Sequence, residues 1–372
     1  MSVHQRRPPR GRQSPYPAIV TGRLTRGGGF PLELPVRLHS FATLLGDTGG
    51  NDTSSISEQA QMTLDTLDPT TPGAAGQTQS EWVSRLAEIG RGHGFFERLG
   101  THQLALFVQE RDTLVVSFDR AARVFSEEAD GLPTGFEAVQ RKEWSLLSIQ
   151  SVGDPWFRAP DLADFFDRLA ADGFFDSFQK VIFLGLGPAN GHAACAYSAA
   201  APGASVLASA PAATLDPERA GFDQRFRKDR RADFGRYGDA PRLVAAARDV
   251  VILYDPVDPA SAAHAAQFRA DCVKRAPLRF VGPAPHRLIK AGGLLVPALR
   301  MLANGRLPRR RVAGMFRRVR RADGDYLWRL AGIAQQQGQF DRARRIADYA
   351  TDVTGEARFA QLAETLAPGA TS

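Results

Sequence analysis

At 372 residues, 43% of them apolar, the chain is long enough to bury an α/β core of roughly 200–250 residues with appendages. Its two cysteines, Cys195 and Cys272, fall in separate predicted elements, a spacing that excludes a zinc site or redox pair and fits a reducing, cytoplasmic setting without a structural disulfide. The net charge of +7 is unevenly placed, because the eight arginines between Arg306 and Arg321 have no acid among them and removing them would leave −1. No apolar run approaches the roughly 20 residues that cross a bilayer, and no apolar core of a signal peptide follows the basic start.

Residues 1–80 contain RRPPRGR, GDTGGNDTSS and LDPTTPGAAGQTQS, a Gly-, Pro-, Ser- and Thr-rich composition that cannot bury enough surface to fold alone. The expectation is disorder, or a mis-assigned start with translation beginning at Met62. Helical periodicity starts at Ser80-Glu81-Trp82 and opens a domain expected over 81–304. Leu104–Val108 and Leu114–Phe118 read as strands joined in a hairpin across Glu110-Arg111-Asp112, the antiparallel edge of a sheet. Trp144–Ile149 is a further short apolar run, and Asp161–Ala171 has the spacing of a helix. Strands at Val181–Gly185, Ala204–Ala208, Val250–Tyr254 and Leu278–Val281 then alternate with helices from about Asn190, Pro217 and Pro259. That alternation predicts a mostly parallel sheet covered on both faces.

Beyond His286 the pattern is helical, and 305–372 divides into a basic helix and a hairpin. Leu330, Ala331, Gly338, Phe340, Ala343 and Ala350 fall where a tetratricopeptide unit places its packing residues, but only one unit is present, and a single repeat cannot bury its own faces. A helical hairpin packed on the core is the plain expectation, and a docking site for a protein partner is the alternative. Arg306–Arg321 reads likewise as a solvated face beside an acidic surface of the same molecule, or as a site for an anionic ligand.

The segment Val181–Ser198, VIFLGLGPANGHAACAYS, carries the most information: a buried strand, a Gly-rich turn and a small-residue helix, the frame on which α/β-hydrolases mount their nucleophile in G-x-S-x-G. Aligning Gly191-His192-Ala193-Ala194 with the tail of that motif puts Pro188, which has no attacking group, at the serine position. Oxyanion-type donors would come from the backbone of Ala189, with Asn190 and Gly191 beside it and Gly153 in an earlier loop. Asp255 and Asp258 end the strand in VVILYDPVDP, and His286 follows LRFVGPAP, so acid and base stand in the chain order of a triad. An Asp-Pro turn and an isolated histidine are the plain alternatives.

The span from about Phe95 to Leu302, with HQLALFVQERDTLVVSFD, DLADFFDRLAADGFFDSFQKVIFLG, AACAYSAAAPGASVLA, LYDP and the His286 loop, resembles a group of uncharacterised bacterial proteins with an α/β-hydrolase-like core. The resemblance implies an elbow of the form G-x-S-M-G-G-Y-A-A, in which Pro188 stands for the serine, Ala189 for Met, Asn190 and Gly191 for the glycines and His192 for Tyr. It also implies Asp255 as acid and His286 as base. Members of that group are sometimes labelled phosphoadenosine phosphosulfate reductase. The residues oppose that label, because neither an S-G-G-K-D loop nor an E-C-G cysteine occurs. No Walker loop, G-x-G-x-x-G turn, H-E-x-x-H helix or C-x-x-C pair is present either, and no cofactor or metal is expected. The expectation is a catalytically degenerate hydrolase-like protein, a pseudoenzyme that keeps a binding or scaffold role. The alternative is an ester or acyl hydrolase with a displaced nucleophile, for which Cys195 and Ser198 lie near in sequence but within the helix.

Overall fold

The computed structural model describes residues 72–153 and 156–367. The expected disorder before residue 72 and the alternative start at Met62 lie outside the described residues. From residue 72 the chain is already packed, earlier than the boundary at 80: Ala74 N–H donates to Phe125 O at 2.9 Å, and Gly73 sits against the Phe125 ring. Helix α1 (Gln79–His93) then starts on a capping box, with Thr78 Oγ1 accepting from Glu81 N–H and Glu81 accepting from Thr78 N–H at 2.8 Å. Its buried face carries Trp82, Val83 and Leu86.

Eight strands form one sheet: β1 (Gly94–Leu99), β2 (Gln103–Val108), β3 (Thr113–Arg120), β4 (Ser145–Ser151), β5 (Lys180–Leu186), β6 (Ser205–Ser209), β7 (Asp249–Tyr254) and β8 (Val273–Pro277), in the order β1-β2-β4-β3-β5-β6-β7-β8. Pairings β1–β2 and β2–β4 are antiparallel and all the others parallel. The hairpin expected between β2 and β3 does not form, because β4 lies between them. Its link crosses the start of β4, where Glu110 N–H donates to Ser145 Oγ at 2.9 Å and Arg111 N–H to Glu143 O at 3.0 Å. The reason is burial: every residue of β3 from Thr113 to Asp119 is buried, so it needs a neighbour on each side, and β1 takes the antiparallel edge instead.

The last strand also departs from the sequence reading. β8 covers Val273–Pro277, and the expected strand at Leu278–Val281 is a loop. Pro277, paired with Tyr254, has no N–H to extend the ladder, and Phe280 and Gly282 take positive φ of 66° and 76°.

Helices cover both faces. Between the strands lie α2 (Ala121–Glu127), α3 (Phe136–Lys142), α4 (Pro160–Ala171), α5 (Pro188–Tyr197), the short α6 (Pro217–Ala220) and α7 (Ala240–Leu243), and α8 (Pro259–Gln267). On one face, Phe118 of β3 and Phe183 of β5 stack with Phe166 of α4 and Tyr197 of α5, whose hydroxyl donates to Phe157 O at 2.9 Å. Such ring pairs add about 0.5–1.5 kcal/mol each beyond burial.

After β8 come α9 (His286–Ala291), α10 (Leu295–Ala303), α11 (Arg309–Val319), α12 (Gly324–Gln336), α13 (Phe340–Thr354) and α14 (Ala357–Thr365). Leu299 and Leu302 of α10 and Val312 and Phe316 of α11 pack in the same core as Ile182, Leu184, Leu207 and Val251, so that core runs past residue 305. α12 and α13 form a hairpin about Gly338 (φ 70°), closed by buried Ala331, Ala334, Ala343, Ala347 and Ala350. Phe340, expected among the packing residues, is 56% exposed, and the large group in this cluster is Phe359 of α14 against Tyr326 and Leu327.

Candidate functional site at the elbow after the fifth strand

β5 ends at Leu186, and α5 begins two residues later with Pro188 at its first position. A proline fits there because its missing N–H would be an orphan and its φ is already helical. The sharp turn is made by Gly187, with φ 109° and ψ 176°, a combination open essentially to glycine. The apex of the elbow is therefore Gly187, one residue before the position the sequence alignment assigned to the serine, and α5 begins two residues earlier than expected. Pro188 helps to set this geometry, since a residue before proline is driven to extended ψ.

The motif glycine two positions before the apex is Gly185. A Cβ there would lie 2.1 Å from Asn190 O and 2.6 Å from Gly191 Cα, so the strand can meet the helix only without a side chain. Asn190 closes the turn by donating from Nδ2 to Leu186 O at 3.2 Å, and Gly191 N–H donates to Gly187 O at 2.8 Å. Ala189, Asn190 and Gly191 thus form the first turn of α5. The N–H that should follow the apex in an oxyanion hole is absent, because that residue is Pro188. Gly153 (φ 78°) follows β4, which β3 separates from β5.

His286 faces the apex. A Cβ built on Gly187 would have the His286 Cε1 atom as its nearest neighbour, at 3.8 Å. The imidazole is otherwise solitary: buried Nδ1 has no hydrogen-bond partner among the described residues, and no bond joins it to Asp255 or Asp258. Burial first, then the charges of Lys290, Arg123 and Arg287, push its pKa down to about 4. The ring is neutral at pH 7.

Asp255 has a different role from the one its chain order suggested. Its carboxylate accepts from the N–H groups of Val257 (2.9 Å), Phe280 (3.2 Å) and Gly282 (2.7 Å), and so fastens the left-handed loop after β8 that leads into His286. Asp258 precedes α8 without capping it, and its Oδ2 is buried with no partner among the described residues. It lines a groove of about 460 Å³ together with Asp255, Phe280, Trp328 and Arg329. The sheet edge thus gathers apex and histidine, while the two aspartates face other tasks.

Three features here escaped the sequence reading. Asp119, at the end of β3 beside the elbow strand, accepts from Thr134 N–H (2.8 Å), Thr134 Oγ1 (3.0 Å) and Arg123 Nη2 (2.5 Å), and Glu128 bridges Arg123 to Lys290. His264 of α8 accepts from Ala213 N–H at Nδ1 (3.1 Å) and donates from Nε2 to Asp223 (3.1 Å), which is also held by Arg225 (2.7 Å). Both ring nitrogens are used, so this pair is a brace. His192 of α5 is buried against Trp156 and Phe234, donates from Nδ1 to Ala212 O at 3.2 Å, and is held down to about pKa 4 chiefly by burial. His264 shows in the sequence only as a lone histidine, Asp119 only as an acid at a strand end, and His192 only as the residue at the elbow's Tyr position.

The histidines set an expected pH dependence. His192 and His286 stay neutral in the folded state down to about pH 4, whereas in the unfolded chain they protonate near 6.5. Between those values the unfolded state binds more protons, so stability is full above about pH 6.5 and falls as the pH drops through the window. The slope is up to about 1.4 kcal/mol per pH unit for each ring. Urea midpoints should be level from pH 7 to 8 and decline steadily from 6.5 to 4.5. An unchanged midpoint at pH 5 would contradict the neutral burial of both rings.

Strand order, parallel core and strand–turn–helix elbow together make an α/β-hydrolase-like fold. No protein-family model matches the chain, and no curated protein matches it significantly. Among solved structures it is similar to the carboxylesterase Cest-2923 from Lactobacillus plantarum WCFS1 at 14% identity and TM-score 0.34, covering 52% of this chain and 85% of that one. It is similar to the capsule O-acetyltransferase of Neisseria meningitidis serogroup A at 8% identity and TM-score 0.35, over 54% and 93%. The metagenomic carboxylesterase EstE1 shares 11% identity at TM-score 0.35, over 60% and 96%. Among the described residues no helix is long and apolar enough to cross a membrane.

Proposed function

We propose that this protein is a non-hydrolysing relative of the α/β-hydrolases, retained for binding or scaffolding. The observation that carries the reading is the pair Gly187-Pro188: the apex has no side chain, and the next residue has no N–H. One substitution removes the nucleophile and the other removes an oxyanion donor, so neither covalent attack nor stabilisation of its intermediate has its usual group. His286 without an acid partner fits the same reading, since nothing fixes its tautomer. Nearby hydroxyl and thiol groups offer no replacement. Ser198 Oγ donates to Cys195 O at 2.8 Å inside the core, and burial pushes the Cys195 thiol far up. Two free cysteines accord with a cytoplasmic setting, and nothing in the chain supplies sulfonucleotide-reductase chemistry.

The purified full chain is expected to leave short p-nitrophenyl esters at the buffer rate and to take no label from a fluorophosphonate probe. Labelling of the unmodified protein at Ser198, Ser209 or any other serine, lost in His286→Ala, would establish a displaced nucleophile and overturn this reading.

A further inference from the structure

We propose that the arginine face of α11 is a binding surface for the phosphodiester backbone of single-stranded nucleic acid. Arg309, Arg310, Arg311, Arg317, Arg318 and Arg321 are exposed, and none makes an ion pair among the described residues. Exposed arginines elsewhere are divided: Arg141 pairs with Glu137 at 2.9 Å, Arg168 with Glu97 at 2.9 Å and Arg219 with Asp239 at 2.8 Å, whereas Arg98, Arg248 and Arg275 make no ion pair among the described residues, so what marks this face is the clustering of its arginines on one helix. No carboxylate among the described residues lies within ion-pair distance of these six arginines, so their charge remains available.

The arrangement is a ridge. Arg310 and Arg317, and Arg311 and Arg318, are seven residues apart, which stacks them in two rows with about 10 Å between successive guanidinium groups along the axis. Between the rows lies Gly314, with open space where a side chain would be, so a ligand strand can approach the backbone. Three arginines in the first turn add their charge to the positive end of the helix dipole, an arrangement that weakens the helix and strengthens its hold on anions.

The chemistry of the face selects among polyanions. Its large apolar residues turn inward, Val312 and Phe316 buried in the core and Met315 and Val319 partly buried against it, so the arginine rows carry nothing to insert between lipid tails. At one end Tyr349, 43% exposed, donates from its hydroxyl to Arg321 O at 3.1 Å and leaves a ring beside the last arginine. An accessible ring flanking a row of guanidinium groups suits an unpaired base next to its phosphates.

The test is anisotropy of fluorescein-labelled 30-nucleotide oligo-dT and oligo-U with the full chain at 50 and 200 mM salt, with duplex DNA and vesicles of phosphatidylserine and phosphatidylcholine in parallel. With about five phosphates neutralised, affinity for the single strands should fall roughly 100-fold between the two salts. In Arg310→Gln/Arg317→Gln/Arg318→Gln the loss should shrink to roughly 7-fold, as about two contacts remain, with an unchanged melting temperature because all three side chains are exposed. An equal salt dependence in the folded triple variant overturns the proposal, because the basic residues near the N-terminus would then carry the binding. So does vesicle binding without oligonucleotide binding, or duplex bound more tightly than single strands.

Discussion

Gly185→Val is expected to abolish the folded state. The contact behind this is backbone against backbone: a Cβ at residue 185 would sit 2.1 Å from Asn190 O, and the obstacle is the first turn of α5 itself. A flexible side chain could swing away, but α5 is held by Tyr197 in the aromatic stack, by buried His192, and by Ala212 N–H donating to Pro188 O at 3.0 Å. Overpacking of an ordinary core site costs about 1–3 kcal/mol, and a site that cannot yield exceeds that range. Against a typical total of about 5–15 kcal/mol, Gly185→Val should be insoluble or melt far below the parent, and Gly185→Ala should be markedly weakened. Gly332→Ala in α12 is the matched control, since nothing lies within 4 Å of its added Cβ, and it should gain up to about 1 kcal/mol. Thermal and urea unfolding of the three variants decide the matter. A Gly185→Ala protein as stable as the parent would mean that strand and helix are not in this close approach.

The second large effect concerns the missing chemistry. Gly187→Ser alone should remain unlabelled by a fluorophosphonate, because Pro188 keeps residue 187 in extended ψ and offers no N–H to the intermediate. In Gly187→Ser/Pro188→Ala both obstacles are removed, and the new hydroxyl stands next to His286, whose Cε1 lies 3.8 Å from the Cβ position. That double variant should take the label at residue 187, slowly, since no carboxylate orients the imidazole, and adding His286→Ala should abolish the labelling. The strained apex should lower stability by about 1–3 kcal/mol, which urea unfolding would read directly. A folded double variant that stays unlabelled would show that the apex and His286 do not form a site. Labelling of the single variant would show that Pro188 is not the second block.

Much of the fold was legible because its signals are local. Buried apolar runs gave β5, β6 and β7 nearly to the residue, and their alternation with helices gave a parallel sheet. Apolar periodicity did the same for the start of α1 and for α4. Pairing was not legible, since a short link between two strands does not reveal a third strand placed between them, and β4 stands 25 residues further along the chain from the end of β3. Nor was the position of β8 legible, because the segment after it is held as a loop by Asp255, which accepts from amides 25 and 27 residues away.

For the site, the sequence by itself determined that a strand, a glycine turn and a small-residue helix stand at Val181–Ser198, and that no serine is near the turn. Both follow from residue identity and short-range sterics. Only the tertiary structure decided which residue is the apex, because φ at Gly187 depends on where α5 must lie against β5, and the tail of a motif can be aligned one residue off without local penalty. It alone brought His286 to that apex across 99 positions of chain, and it alone turned Asp255 away to hold the loop that carries the histidine. Triad order is a property of the chain, whereas a triad is a set of distances, and those are fixed by packing.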